Sequence, residues 1–334
     1  MKPFRFKKAA AVLLAAMMVF AAGCSRDAST SSDSDSGSAS LSSTSRSSSK
    51  SGSGSSNKSS SQDMSKPEIK VYDNVSKVQD AIKINKDVGG YLYIPNTTID
   101  EPVVSGKNYN SADEFWGVYD TVNNRLNWKK EKANSGVTGS LYMHLNAKYD
   151  SREELSPNLV IYGHNPGRLD PNVRYDAAPL KDLPDAMMFA QLYKYLDEDF
   201  AKNNPYIYFS TDNENYIYQV FAAYYTEAEP ASETEPRYYS SNLNSKDALK
   251  VAQEAVKRSQ MVYKDVKLNE GDKFITLSTC TYEFTEGMTP AQALAASDKH
   301  RYVVMGKLLP ANARGDATAN VSKNPSPKMP EGTK

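Results

Sequence analysis

The sequence predicts a mostly β domain, either a barrel or a sandwich, with about three helices on its periphery. Short runs of aromatic and β-branched residues recur between residues 68 and 310, and turn-forming residues bound them. No segment repeats with a period of about 20–50 residues, so neither a solenoid nor a propeller is indicated. Because the flanking segments lack this patterning, we assign one folded domain to residues 68–310.

Seven segments match the strand pattern, because aromatic and β-branched side chains fit a pleated, half-buried surface. They are residues 91–94, 139–143, 158–162, 206–209, 216–225, 273–277 and 301–305. The polar run at 211–215 joins two of these segments and predicts a hairpin.

Apolar residues at helical spacing predict helices at 71–87, 185–202 and 245–260. The expected buried faces carry Val71, Val75, Val78 and Ile82 in the first helix, and Leu249, Ala252 and Val256 in the third. A further stretch, residues 289–297, also has a helical composition. These helices would lie around the predicted β domain.

The first 24 residues are typical of an export signal, with a basic start and then fifteen apolar or small residues. That apolar stretch is shorter than the roughly 20 residues that a spanning helix needs. Ala21-Ala-Gly-Cys24 resembles the lipobox of bacterial lipoproteins, which implies cleavage before Cys24 and lipidation of its thiol. A short uncleaved anchor and an ordinary signal peptide are the alternatives. All three place the rest of the chain outside the cytoplasmic membrane.

Two segments are predicted to be disordered. Residues 25–66 contain 22 serines in 42 positions, so burial cannot offset the entropy of ordering them, and we expect a flexible linker. Residues 311–334 are rich in Pro, Asn, Lys and Gly and are expected to form a disordered tail.

The composition argues against several classes of ligand. Forty basic and 40 acidic side chains leave no net charge to attract a nucleic acid. Two cysteines provide neither a disulfide framework nor a multi-cysteine metal cluster. A zinc site of His144, His164 and Cys280 lacks the usual close ligand spacing, and no calcium-loop pattern is present. We therefore expect no metal and no cofactor.

Three residues with complementary chemistry lie at the ends of predicted strands. Cys280 follows the strand at 273–277, His164 follows the strand at 158–162, and Arg301 opens the last strand. A thiol becomes a strong nucleophile when a nearby imidazole accepts its proton, and a guanidinium can stabilise the oxyanion of an acyl transfer. This set is sufficient for covalent acyl transfer.

The sequences around these residues resemble sortase motifs. Thr276-Leu-Ser-Thr-Cys280 resembles the TLxTC signature, and Ile161-Tyr-Gly-His-Asn165 and Arg301-Tyr-Val-Val304 resemble the histidine and arginine motifs. Residues 91–103 and 188–193 look like the first strands and a later helix of class B sortases, so the matching order covers about residues 85–309. The resemblance implies a mostly β fold, a closed barrel of about eight strands, with an N-terminal helix and two or three peripheral helices.

The same resemblance implies roles for four residues. Cys280 would attack the carbonyl of a sorting-signal peptide, His164 would protonate the departing amine, and Arg301 would orient the substrate and stabilise the oxyanion. Ser278, inside the signature, would contact the peptide. The helix at 245–260 would help to form one wall of the peptide groove.

The resemblance also implies partners and a location. A surface protein bearing a sorting signal would be the peptide substrate, and an amine of a peptidoglycan precursor or of a pilin lysine would resolve the thioester. The enzyme would be held by its N-terminus, through a lipid or otherwise, on the outer face of the cytoplasmic membrane of a Gram-positive-type bacterium.

Some features depart from the class B pattern, and other functions stay open. Residues 281–300 form a longer connection than expected, and His144 stands where an acidic residue is common. His300, beside Arg301, competes with His164 for the role of base. A hydrolase that resolves the thioester with water, and an inactive lipid-anchored binding protein, are the alternative functions.

Overall fold

The structure is a computed structural model, and it describes residues 63–121, 124–131, 139–165, 188–229, 237–240, 243–285, 287–297 and 299–333. Asp63–Lys334 form one compact unit. The predicted signal peptide, Cys24 and residues 25–62 of the predicted linker lie outside the described residues.

The described part of the chain contains twelve strands, five α-helices and two 3₁₀ helices. The strands are β1 (Val88–Tyr93), β2 (Asp100–Val104), β3 (Asp120–Thr121), β4 (Asn124–Arg125), β5 (Leu141–Met143), β6 (Asn158–Tyr162), β7 (Tyr206–Ser210), β8 (Asn215–Glu227), β9 (Met261–Tyr263), β10 (Phe274–Cys280), β11 (His300–Leu308) and β12 (Val321–Lys323). The α-helices are α1 (Val75–Ile84), α2 (Ala112–Tyr119), α3 (Glu198–Asn203), α4 (Ser245–Arg258) and α5 (Pro290–Ser297), and two 3₁₀ helices span Gly106–Asn108 and Met188–Leu196.

Eight of these strands close into a barrel in the order β1-β2-β5-β6-β10-β11-β8-β7. The prediction of a closed eight-stranded barrel is therefore confirmed, and the sandwich alternative is wrong. Most neighbours are antiparallel, but β6 and β10 run parallel, as do β2 and β5. The parallel pair brings the carboxyl ends of β6 and β10 to the same edge of the barrel, which is where the candidate site lies.

The barrel separates an inner from an outer apolar cluster, because successive strand residues point to opposite faces. On β10, Ile275 and Leu277 lie in the inner cluster, whereas Phe274 packs with the outer one. The Met188–Leu196 helix covers one part of the inner cluster through buried side chains such as Leu192. The rigid wall of strands thus carries the residues at its ends.

One of the predicted helices is interrupted. The described part of the prediction at 185–202 consists of the 3₁₀ helix Met188–Leu196 followed by a separate α3. The Asp197 carboxylate accepts a hydrogen bond from the Phe200 amide at 2.8 Å and so caps α3. A capping aspartate between the two segments starts a new helix rather than continuing the first.

The helices α1 and α4 form as predicted. The α1 helix buries part of its predicted face, with Ile82 packed on the same cluster as Val78, whereas α4 turns a different face inward. In α1, Val78 is fully buried, whereas Val71 precedes the helix and is 48% exposed. In α4 the buried side chains are Ala248, Val251, Ala252 and Ala255, whereas Val256 is 46% exposed. Because alanine side chains are small, the α4 backbone approaches β8 closely, and this close packing determines which face of the helix is buried.

The prediction of a disordered C-terminal tail is wrong. Residues 311–333, which we call the C-terminal strap, pack along the barrel, and β12 pairs with β9. Val321 is buried in the inner cluster, and the Asn324 amide donates to the Gln260 carbonyl at 2.9 Å. The linker prediction also ends too late, because Lys66 bonds to Asp316 of the strap at 2.6 Å.

Within the part of the chain that the structure describes, none of the helices has the length and apolar character that a membrane span requires.

Candidate active site

The parallel pairing of β6 with β10 brings His164 beside Cys280. Backbone and side-chain bonds extend this pairing past the end of β6. The Gly163 amide donates to the Ser278 carbonyl at 3.2 Å, and the Thr279 hydroxyl donates to the Gly163 carbonyl at 2.8 Å. The Asn165 side-chain amide donates to the Cys280 carbonyl at 3.0 Å. Bonds on both sides of His164 therefore tie its loop to the strand end that carries Cys280.

Antiparallel pairing brings the arginine to the same place. In the β10–β11 register, Cys280 lies directly opposite Arg301. Directly opposed residues project from the same face of a sheet, with Cβ atoms about 4.5–5.5 Å apart. Cys280 and Arg301 are therefore immediate neighbours.

The two side chains project from the outer face of the barrel. Val303, two residues from Arg301, packs in the outer cluster, whereas Tyr302 lies in the inner one. His164 continues the alternation of the outer-facing Val160. The structure thus brings together all three residues that the sequence singled out at strand ends.

All three side chains are partly exposed, so a substrate has access to them, and Cys280 is a reduced thiol. The Arg301 charge also acts on two neighbouring tyrosines, Tyr162 and Tyr238. Burial raises the pKa of Tyr162 well above its ordinary value, and the Arg301 charge acts in the opposite direction. Burial likewise raises the pKa of Tyr238 to about 12, against the influence of Arg301. Both phenols stay neutral at physiological pH.

Ser278 lies beneath the surface. Its side chain is 1% exposed, and its hydroxyl is 2.9 Å from the Tyr238 hydroxyl. Tyr238 is held in turn, because the Asn158 side-chain amide donates to its carbonyl at 2.6 Å. The described partner of Ser278 is therefore a tyrosine of the chain itself. Because the side chain is almost fully buried, contact with a peptide would require neighbouring atoms to move, and the predicted substrate contact stays a prediction.

No motif or spacing indicated Tyr238, which comes from the β8–α4 connection, 40 residues before Ser278. Asn165 lies inside the histidine motif, but only the fold shows that its amide reaches the Cys280 carbonyl. Both side chains are buried, so they support the site from within the protein.

A third supporting residue, Gly139, lies against the imidazole. A Cβ atom at this position would be 3.2 Å from His164 Cδ2 and 3.3 Å from Nε2. Contacts this short require one of the two groups to move by a few tenths of an ångström. The missing side chain at Gly139 therefore makes room for the His164 imidazole in its observed position.

If His164 carries the proton in acyl transfer to Cys280, as the sequence predicts, replacing Gly139 with alanine is expected to slow that step by about tenfold, because sub-ångström misplacement of a reacting group is costly. The measurement is single-turnover acylation of Cys280 by a peptide substrate. Ser140→Ala is the matched control, since Ser140 is a buried neighbour whose hydroxyl bonds to the Leu126 carbonyl instead. Equal rates for Gly139→Ala and the wild type, with equal melting temperatures, would show that His164 is not constrained at this contact.

The other two histidines, His144 and His300, have different surroundings from His164. His144 faces a small crevice with Asn158 and Ser240, and burial lowers its pKa. His300 precedes Arg301 on β11 and so projects from the opposite face, where its ring packs on Phe284 at 4.9 Å. His300 is therefore directed away from the face that carries Cys280, which disfavours it as the base. Among the described residues, no three His, Cys, Asp or Glu side chains are placed to hold a metal ion, so the zinc set is not assembled there.

No protein-family model matches the chain. The chain is similar to a solved Staphylococcus aureus sortase B–substrate complex, with 24% identity, a TM-score of 0.48 and coverage of 70% of this chain and 85% of that chain. It is 29% identical over 233 residues to sortase B of Listeria monocytogenes, covering 70% of this chain and 74% of the relative. It is 26% identical over 204 residues to sortase B of S. aureus, covering 61% of this chain and 67% of the relative. On these two sequence relationships, the chain is a homologue of the sortase B enzymes, which are cysteine transpeptidases.

Proposed function

We propose that this chain cleaves a C-terminal sorting signal through a thioacyl intermediate on Cys280 and transfers the acyl group to an amine. The observation that supports the proposal most directly is the strand register that sets Cys280 opposite Arg301, with the His164 loop bonded to the same strand end. A nucleophile, a proton carrier and an oxyanion donor thus share one partly exposed face of the barrel.

In the first half-reaction the Cys280 thiolate attacks the carbonyl carbon of the scissile peptide bond. The new C–S bond forms as negative charge develops on the carbonyl oxygen, next to the Arg301 guanidinium. The C–N bond then breaks, and the departing amine takes a proton from the His164 imidazolium. The products are a thioester on Cys280 and a released C-terminal peptide.

In the second half-reaction an incoming amine attacks the thioester carbonyl carbon. Its proton passes to His164, the C–S bond breaks, and the thiolate returns to its starting state. The proton lost in the first half-reaction is thereby recovered, and one amide bond has been exchanged for another. Water in place of the amine would give hydrolysis through the same intermediate.

The proposed partners follow from this chemistry and from the sequence. The acyl donor is a surface protein with a sorting signal, and the acceptor is an amine of a peptidoglycan precursor or of a pilin lysine. The basic and apolar N-terminal segment supports attachment to the outer face of the cytoplasmic membrane, with Cys24 as the lipidated residue. No metal or cofactor enters either half-reaction.

The test uses residues 63–334, which form one compact unit. The purified protein is mixed with a panel of synthetic sorting-signal peptides and with either triglycine or a lysine-containing peptide as the amine. Mass spectrometry separates ligated product from cleaved acid. We expect ligated product that depends on the added amine.

Two other outcomes would overturn the proposal. Cleaved acid without ligation, at saturating amine, would identify a hydrolase. Neither product, in a protein whose circular dichroism shows an intact fold, would favour the inactive binding protein.

A further inference from the structure

The arginine of the site follows a helix instead of a short turn. Residues 281–300 separate Cys280 from Arg301, which is more than the class B pattern predicts, and the proposed chemistry assigns no role to α5 within them. The predicted helix at 289–297 is confirmed as Pro290–Ser297. An additional helix directly before a catalytic side chain raises the question of what it contributes.

The segment is fixed to the barrel where it leaves β10. The Tyr193 hydroxyl donates to the Thr281 hydroxyl at 2.6 Å, and both side chains are buried. Farther along, the Phe284 ring packs on Tyr225 and His300, with ring centroids 5.4 and 4.9 Å apart. The first part of the connection therefore has a defined position against the barrel.

The helix has a strong start signal. The Gln292 side-chain oxygen accepts from the Thr289 amide at 2.9 Å, and the Gln292 amide donates back to the Thr289 hydroxyl at 3.4 Å. This reciprocal pair is a capping box, and Pro290 fits the first helical position because its missing N–H needs no partner there. Ala293 is buried, and α5 packs beside β11.

The end of the helix meets Arg301. Arg301 Nη1 donates to the His300 carbonyl at 2.9 Å and, at a longer 3.4 Å, to the carbonyl of Ser297, the last residue of α5. The turn between them is fixed, since the Lys299 amide donates to the Ala296 carbonyl at 3.0 Å. The last carbonyls of a helix carry partial negative charge and attract a guanidinium.

We propose that α5 is a positioning element that holds the Arg301 guanidinium toward the carbonyl attacked by Cys280. An arginine side chain has many rotamers, and orienting it during the reaction would cost conformational entropy. The Ser297 carbonyl at the end of α5 and the His300 carbonyl at the start of β11 restrict Nη1 before the substrate arrives. This inference rests on the proposed function, because it concerns how the oxyanion donor of that reaction is oriented.

The test breaks the helix at an exposed position. Ala295 lies on the solvent side of α5, and a proline there removes a helical N–H and clashes with the preceding turn. In residues 63–334, Ala295→Pro is expected to lower kcat for ligation by about tenfold or more, with a smaller change in KM. Ala295→Gln, which keeps an uncharged good helix former at the same site, is the matched control and should retain wild-type rates.

A double-mutant cycle distinguishes positioning of Arg301 from a general structural effect. If α5 acts through Arg301, the proline should cause no further loss in an Arg301→Ala background, measured by single-turnover acylation. Additive losses, or an unchanged kcat in a folded Ala295→Pro protein, would overturn the inference. Gln292→Ala, which removes only the capping box, should give a smaller loss in the same direction and serves if the proline variant fails to fold.

The controls also separate this inference from the proposed function. A wild-type protein that ligates no peptide would refute the function. A wild type and an Ala295→Gln variant that both ligate, beside an equally active Ala295→Pro variant, would refute only the role of α5.

Discussion

Replacing Cys280 with alanine is expected to abolish ligation and peptide cleavage alike, while leaving the barrel folded. In the proposed mechanism both reactions pass through the same thioester, so removal of the sulfur removes the nucleophile of either. Loss of a catalytic nucleophile costs at least about 10⁴-fold in turnover. Because Cys280 is only partly buried at the end of β10, alanine leaves no large cavity and stability should change little. Amine-dependent ligation and thermal melting, measured together, test this expectation.

The same thiol provides a direct control. The chain has two cysteines, and a protein of residues 63–334 retains only Cys280. A mass increase equal to the acyl part of the peptide, found when the amine is withheld and lost on its addition, would identify the thioester. The mass increase should be missing in Cys280→Ala. Turnover that persists in Cys280→Ala at more than a trace level would rule out the proposed mechanism.

The strands and the three candidate residues were predictable because each signal was local. Cys280, His164 and Arg301 adjoin strand patterns of aromatic and β-branched residues, and a rigid strand end is a good place to present a reactive side chain. Barrel closure itself followed from the family resemblance, since residue patterning alone left a sandwich open. Strand pairing then supplied the proximity that the sequence did not contain.

The supporting residues were not predictable, because their contacts join segments far apart in the chain. Tyr238 meets Ser278 across 40 residues, and Gly139 is placed against His164 by the pairing of β5 with β6. Neither the residue types of Tyr238 and Gly139 nor their positions in the sequence indicate that they contact the site. Such contacts depend on register and close packing, which a single sequence does not specify.

The C-terminal strap was mispredicted for a different reason. Its average composition is polar, which is typical of disorder, but a few well-spaced apolar residues anchor it. Ala313 and Val321 are buried, and Met329 packs on the inner cluster. A composition averaged over the whole strap does not reveal these few buried residues. Existing secondary structure also lowers the cost of ordering the strap, because β9 offers an edge for β12.

Removal of the strap, residues 311–334, is therefore expected to lower the melting temperature of the domain by about 10 °C. The deletion removes the β9–β12 pairing and uncovers the inner cluster around Tyr263. It also removes ion pairs between Arg314 and Glu68 and between Lys328 and Glu254. These exposed pairs contribute little singly, so lost burial should account for most of the effect. Calorimetry of residues 63–310 beside residues 63–334 makes the measurement.

Point variants separate burial from chain length. Val321→Asp places a charge in the inner cluster and should reproduce much of the deletion's effect, because a buried carboxylate without a partner is strongly destabilising. Ser326→Asp, at an exposed position of the same strap, introduces the same charge and should leave the melting temperature unchanged. If both variants had the wild-type melting temperature, burial of the strap would contribute nothing measurable to the stability of the domain. A selective loss in Val321→Asp would make the strap part of the folding unit that holds the barrel and its active-site edge.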